Sequence, residues 1–198
     1  MLLKKLSEVN GIAGHEAKVR QIVEEELLTV VSKDDLKYDN IGSVIAKKGS
    51  KGPKIMLAGH MDEVGMIVTK ITDQGFIKFQ PIGGWWNQVM LAHEVTVTTA
   101  DGHEVHGVIG SKPPHILTAE ERKKPVEISD MYIDLGVKSK EEVLNLGVKI
   151  GDMITPYTEF RVMANEDILL GKAWDNRIGC AVMLEVMKRL KDIKHPME

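Results

Sequence analysis

Apolar residues recur at two different periods along this chain, and the change of period divides it. Leu2, Leu3, Leu6 and Val9 share one helical stripe, so a short amphipathic helix opens the sequence. Gly11 and Gly14 make a turn. Val19, Ile22, Val23, Leu27 and Val30 repeat the helical spacing and predict a second helix over residues 16–30. Asp39-Asn40 marks a turn before a strand through Val44 and Ile45, residues 49–53 form a hairpin or loop, and 54–58 are predicted as a buried strand. After Gly65 the texture becomes short β-rich runs over 66–70, 75–80, 94–99 and 104–109, with turns at Asp73-Gln74-Gly75 and Asp101-Gly102. Ser139-Lys140-Glu141-Glu142 has the pattern of a capping box and opens a short helix to Leu146. Strands follow over 151–156 and 159–163. From Leu169 the α/β texture returns, with a helix from Asn176 whose apolar stripe is Ile178, Ala181, Val182, Val186 and Leu190.

The simplest organisation is a β-rich domain, a barrel or a sandwich, over residues 66–164, inserted into an α/β domain made of 1–65 and 165–198. No repeat or low-complexity tract interrupts this. Residues 110–125, with Pro113-Pro114 and the charged run Glu120 to Lys124, are expected to be a long exposed loop and the best candidate for disorder.

Composition changes this picture only by exclusion. A net charge of −3, with 43% hydrophobic and 28% charged residues, gives no reason to expect nucleic acid or an anionic membrane as partner. No run of about 18 apolar residues predicts a membrane helix. The first residues lack the apolar core of a signal peptide. The one cysteine, Cys180, excludes an intramolecular disulfide and suits a reducing compartment, so the expected location is the cytoplasm. Its place in an apolar helical pattern predicts a buried, inert thiol. Residues 192–198 read as a helix ending in a loop, and the chain is expected to be part of a longer protein.

The chemistry concentrates in two short segments. Ala58-Gly59-His60-Met61-Asp62-Glu63-Val64-Gly65 follows the apolar run Ile55-Met56-Leu57, and Gly171-Lys172-Ala173-Trp174-Asp175-Asn176-Arg177-Ile178-Gly179 opens the last helix. Each puts a metal-ligating side chain at a strand exit or helix entry, where α/β proteins build sites. His60 can bind zinc or cobalt through one ring nitrogen, and Asp62, two residues on, is placed to hold the other. Taken alone, His60 and Asp62 are equally a polar pair in a surface turn. Asp175 can bridge two ions about 3.5–4 Å apart, as in aminopeptidases. Taken alone, it is an N-cap for the helix that follows. The pair of motifs, in this order and separated by a β-rich insertion, is far more specific than either. Glu63 is a candidate substitute base, although strand geometry points it away from Asp62. His15, His93, His103, His106 and His115 have no metal-ligand spacing, with a chance site at His103 and His106 the exception to consider. Trp85-Trp86 reads as an exposed apolar pair for packing or an interface. Lys172 and Arg177 either neutralise Asp175 or pair with other acids.

On these residues the chain resembles the tetrahedral (TET) aminopeptidases, a metallopeptidase family that includes glutamyl and deblocking aminopeptidases. The likeness also covers Val9-Asn10-Gly11-Ile12-Ala13-Gly14-His15-Glu16, Asp39-Asn40-Ile41-Gly42-Ser43, Gly83-Gly84-Trp85 and residues 107–115. It implies a three-layer α/β peptidase domain with a mixed sheet, carrying an inserted barrel that serves dimerisation. It implies two divalent ions, zinc or cobalt, with His60 binding one and Asp175 bridging both, and with Asp62 as the catalytic acid that orients His60. It implies a peptide substrate and a homodimer that builds to a homododecamer. In that family an adjacent pair of glutamates, one of them the general base, and two further ligands follow later in sequence than any residue here. The chain alone is therefore expected to hold metal weakly or not at all and to be inactive. Two readings from other classes stand beside this one. The first is a non-catalytic module that self-associates through the β-rich insertion. The second is a glycosidase, which needs two carboxylates about 5–10 Å apart across a sugar, and the sequence offers no such pair.

Overall fold

The computed structural model describes residues 1–49 and 51–193. In chain order the first elements are α1 (Leu2–Glu8), α2 (Ala17–Leu27), β1 (Leu36–Tyr38) and β2 (Val44–Ala46). Next come β3 (Gly65–Ile71), β4 (Ile77–Ile82), β5 (Glu94–Thr98), β6 (Glu104–Gly110), β7 (Tyr132–Asp134), α3 (Lys140–Asn145) and β8 (Met153–Pro156). The last are β9 (Arg161–Val162), β10 (Leu169–Leu170) and α4 (Trp174–Arg189). They divide into two compact units, residues 64–158 and the remainder on either side.

In the discontinuous unit the core gathers Leu6, Val19, Val23, Leu27 and Leu36 with Cys180, Ala181 and Leu184. α4 packs against α1 and α2 through Arg177, Cys180, Ala181 and Leu184. The predicted stripe is therefore displaced: Ile178 and Val182 are 42% and 55% exposed. Apolar residues line both sides of α4, so periodicity alone cannot choose the side that α1 and α2 cover. Residues 54–58 are not a buried strand either. Ile55, Met56 and Leu57 are exposed, and no described segment runs beside them to supply the ladder that defines a strand. The sheets of this unit are two antiparallel ribbons, β1–β2 and β9–β10, plus one parallel bridge between Ile12 and Glu63. A three-layer mixed sheet is not assembled among the described residues. The predicted loop at 192–198 lies largely outside them.

The continuous unit is a closed barrel of order β3-β4-β7-β6-β5-β8, with every neighbouring pair antiparallel. Closure removes both sheet edges, which decides between the barrel and the sandwich. Met66, Val68, Ile77, Phe79, Val95, Val97, Ile109, Ile133 and Ile154 fill the interior. β7 lies in a stretch with only three strand residues, too short to announce itself by alternation. α3 starts as predicted: the Glu142 amide donates to Ser139 Oγ at 3.2 Å. Trp85 is not exposed; it packs on the barrel core and its Nε1–H donates to the Gly65 carbonyl at 2.9 Å, leaving Trp86 at 63% exposure. The loop between β6 and β7 is largely exposed and holds three 3-10 turns, Pro114–Ile116, Glu121–Lys123 and Ile128–Asp130. Among the described residues no helix is long and apolar enough to cross a membrane.

Candidate metal centre

The segment carrying His60 is drawn onto the start of α4. Gly59 makes this possible: a Cβ there would meet Met183 Cε at 3.0 Å and the backbone of Gly179 and Cys180 at 3.4 Å. The Cys180 thiol donates to the His60 carbonyl at 3.2 Å, and Arg177 Nε donates to the Met61 carbonyl at 2.8 Å. The same helix start presents Asp175. Ala173 adopts a left-handed conformation (φ 57°, ψ 22°), and neither Asp175 nor Asn176 has helical backbone angles. The peptide between them is cis. Regular helix takes over at Arg177, so Asp175 is not the N-cap of a helix beginning at Asn176. Its carboxylate instead projects fully into solvent.

The structure brings the three acid and imidazole groups of the two motifs together. His60 Nδ1 lies 3.0 Å from Asp62 Oδ1, and His60 Nε2 lies 3.9 Å from Asp175 Oδ1. The side chains of His60, Asp62 and Asp175 are 52%, 37% and 101% exposed, so a solute reaches all of them. A carboxylate at Nδ1 favours the tautomer in which that nitrogen carries the ring proton, which would leave Nε2 its lone pair. The lone pair then faces Asp175. Two ligands sharing one tetrahedral zinc stand about 3.3 Å apart, given metal–ligand bonds of about 2.0–2.1 Å. The observed spacing needs only a small movement of the exposed carboxylate. This donor set fits a borderline divalent ion. Among the described residues, no three His, Cys, Asp or Glu side chains are arranged to hold one metal ion between them, and here Asp62 is engaged by the far nitrogen of His60.

The remaining candidates sort clearly. Glu63 is no base. Its side chain is 2% exposed and is held by Lys172 Nζ at 2.7 Å and Arg177 Nη2 at 3.3 Å. Lys172 and Arg177 therefore turn inward to Glu63 rather than outward to Asp175. Burial pushes the Arg177 guanidinium below its ordinary range, and the Glu63 carboxylate opposes that shift. The buried Cys180 thiol is pushed up by desolvation, against a smaller opposing effect of Arg177. His106 packs edge-on to Tyr157 with ring centroids 4.9 Å apart and approaches Thr96 Oγ1 at 3.4 Å, so it builds no site with His103. An open cavity of about 690 Å³ lies in the barrel unit, lined by Lys70, Ile71, Lys140, Leu144 and Ile150, and holds none of the candidate ligands. Sequence reasoning missed Asn10, whose Oδ1 accepts from Lys172 Nζ at 2.6 Å. The available signal was a polar residue between two apolar stripes, which is weak.

Comparison with known proteins follows the same line. Residues 42–198 match the M42 glutamyl aminopeptidase family. The glutamyl aminopeptidase of Lactococcus lactis is 34% identical over 200 residues, covering 98% of this chain and 56% of the relative. Among solved structures, a TET aminopeptidase from the archaeon Thaumarchaeota archaeon SCGC AB-539-E09 superposes with a TM-score of 0.93 at 46% identity, covering 99% of this chain and 55% of the other. The TET1 peptidase of Pyrococcus horikoshii, which assembles into a tetrahedron or a large octahedral shell, superposes with a TM-score of 0.84 at 34% identity, covering 96% and 56%. The chain thus spans about half the length of the proteins it matches.

Proposed function

Because this chain belongs to the M42 glutamyl aminopeptidase family, we propose that it supplies one half of a metal-dependent aminopeptidase centre. The observation that carries the proposal is the approach of His60 Nε2 to Asp175 Oδ1 at 3.9 Å, with Asp62 holding the opposite ring nitrogen. His60 and Asp175 would hold two divalent ions, zinc or cobalt, with Asp175 the bridging ligand. Bound there, the ions would supply Lewis acidity toward a scissile carbonyl and toward water.

Asp62 would fix the tautomer and plane of His60 so that Nε2 faces the ion. The exposed Asp175 carboxylate leaves its outward side open to a peptide's free N-terminus. No described carboxylate stands in position as a general base, so that group would come from outside this chain, as would the remaining ligands and the rest of a three-layer peptidase domain. The barrel carries none of the candidate ligands, which suits it to contacts between subunits. Dimers formed through the barrel, building to a homododecamer, are the assembly we propose; that a similar protein assembles into a tetrahedron or an octahedral shell supports self-association. The substrate is a peptide. The single, buried thiol suits the cytoplasm. Neither nucleic acid nor a membrane is proposed as partner, given the small net charge.

The test is turnover by the complete protein. It should release N-terminal residues from short peptides, lose the activity on chelation, and regain it with zinc or cobalt. His60→Ala and Asp175→Ala should each lower kcat/KM by at least about 100-fold, the order expected from a lost ligand or ligand support. Chelator-insensitive turnover, or cleavage only within peptides, would overturn the reading.

A further inference from the structure

The two exposed motif segments are tied together underneath by a buried ion network. Glu63 follows Asp62 directly, and Lys172 and Arg177 bracket Asp175. Lys172 Nζ donates to both Glu63 oxygens, at 2.7 and 3.0 Å, and to Asn10 Oδ1 at 2.6 Å. Arg177 places every N–H of its fork. Nε reaches the Met61 carbonyl at 2.8 Å, between His60 and Asp62. Nη1 reaches the carbonyls of Leu6, at 2.9 Å, and Val9. Nη2 reaches the Gly11 carbonyl at 3.1 Å and Glu63 Oε1 at 3.3 Å. Gly11 closes the ring by donating its amide to Glu63 Oε1 at 3.3 Å and accepting from the Glu63 amide at 2.9 Å. A Cβ on Gly11 would stand 3.3 Å from Arg177 Nη2 and 2.8 Å from Val19 Cγ2, so the approach needs glycine.

Stability alone is a poor reason for this arrangement. A buried ion network is often no more stabilising than apolar side chains of the same volume, because desolvation offsets the attraction. What apolar packing cannot supply is direction. A guanidinium with five donors fixes the carbonyls around it to within hydrogen-bond tolerance. Here one of those carbonyls is the peptide between the proposed ligand and the acid that orients it. The other end of the same residue is two positions from Asp175.

We propose that the Glu63–Lys172–Arg177 network is a positioning device that locks the segment of His60 and Asp62 to the segment of Asp175. These three are positioning residues: their hydrogen bonds run to Asn10, to backbone groups and to one another, and the Arg177 charge acts on Asp62 through space. The proposal rests on the metal-centre reading for its purpose but not for its test. It makes the relation of His60 to Asp62 depend on buried groups that hold the backbone between them, with Arg177 donating to the Met61 carbonyl.

The test reads the His60 ring directly. In the 15N-labelled chain, at about pH 8.5 where an imidazole is neutral, long-range proton–nitrogen spectra report which ring nitrogen carries the proton. The parent should favour the Nδ1–H tautomer about tenfold or more, the preference a hydrogen bond to a carboxylate supplies. Lys172→Met should bring the ratio to within about threefold of parity. Arg177→Lys keeps the charge but loses the fork, so it should do the same and covers the case in which Lys172→Met does not fold. Leu184→Ala weakens the same core without touching the network and should leave the ratio at the parent value. An unchanged ratio in the folded network variants, or an equal change in Leu184→Ala, overturns the proposal. Neither metal nor substrate is present in this measurement, so a failed peptidase assay leaves its outcome standing, and the reverse.

Discussion

Removing the Lys172 ammonium is the most informative single perturbation of the discontinuous unit. In Lys172→Met the stem stays in place, but Glu63 loses the contacts at 2.7 and 3.0 Å and keeps Arg177 at 3.3 Å. At 2.7 Å and an effective dielectric of about 20, the gross attraction is about 6 kcal/mol. Both side chains are at most 5% exposed, so water does not replace the lost cation. Desolvation returns part of the gross term, and breaking one partner of a buried pair costs about 3–5 kcal/mol. For a unit of about 100 residues that corresponds to a fall of at least about 12 °C in melting temperature. Urea unfolding, read from the amide resonances of α2 and α4, measures the loss. Glu63→Gln should cost a similar amount. The double variant should cost less than the sum of the two by about 1–3 kcal/mol, because each single variant already leaves its partner uncompensated. A Lys172→Met cost below about 1 kcal/mol, or additivity within about 0.5 kcal/mol, would refute the reasoning.

Three further outcomes follow from separate parts of the chain. Cys180 should resist alkylation at about pH 8 in the folded chain and react on unfolding, since burial holds its thiol above the ordinary value. Because that pKa is raised on folding, its contribution to stability is full below pH 9.0 and is lost as pH rises through the folded value; denaturation midpoints above pH 9 check the sign. Asp39, held below 3.8 chiefly by hydrogen bonds from Ser43, should titrate below that value in a carboxyl-carbon NMR series, and its contribution is lost only as pH falls through the lowered value. Trp85→Ala should destabilise the barrel by about 2–3 kcal/mol while Trp86→Ala stays within about 0.5 kcal/mol, and unfolding of the barrel resonances would contradict this if the order were reversed.

Much of the barrel was legible because β3, β4, β5 and β6 each carry their own alternation and turn residues. β7 was not, since three residues give no period and its place is set by neighbours on both sides. The two site motifs were legible from their residue types, a histidine and an aspartate two apart between glycines and an aspartate at the opening of an apolar helical stretch, although the strand expected before His60 is not there. The buried face of α4 was only partly legible: Ala181 of the expected stripe is buried, but Ile178 and Val182 are exposed. Ile178 and Val182 are as apolar as Cys180 and Ala181, and the chosen side depends on where Arg177 finds its carbonyls. The same fact explains why Lys172 and Arg177 could not be paired from sequence. Their partner Glu63 is 109 and 114 positions away, and no local pattern distinguishes a buried cation from a solvated one. Residues 54–58 failed for a related reason, because an apolar run predicts burial only where something covers it.

The central claim is that His60 and Asp175 are ligands of one metal centre. Anomalous scattering from crystals of the complete protein grown with zinc or cobalt tests it most directly. Two peaks about 3.5–4 Å apart are predicted, one within bonding distance of His60 Nε2 and both within bonding distance of the Asp175 carboxylate. Metal bound in full occupancy elsewhere, with neither side chain coordinating it, would contradict the account.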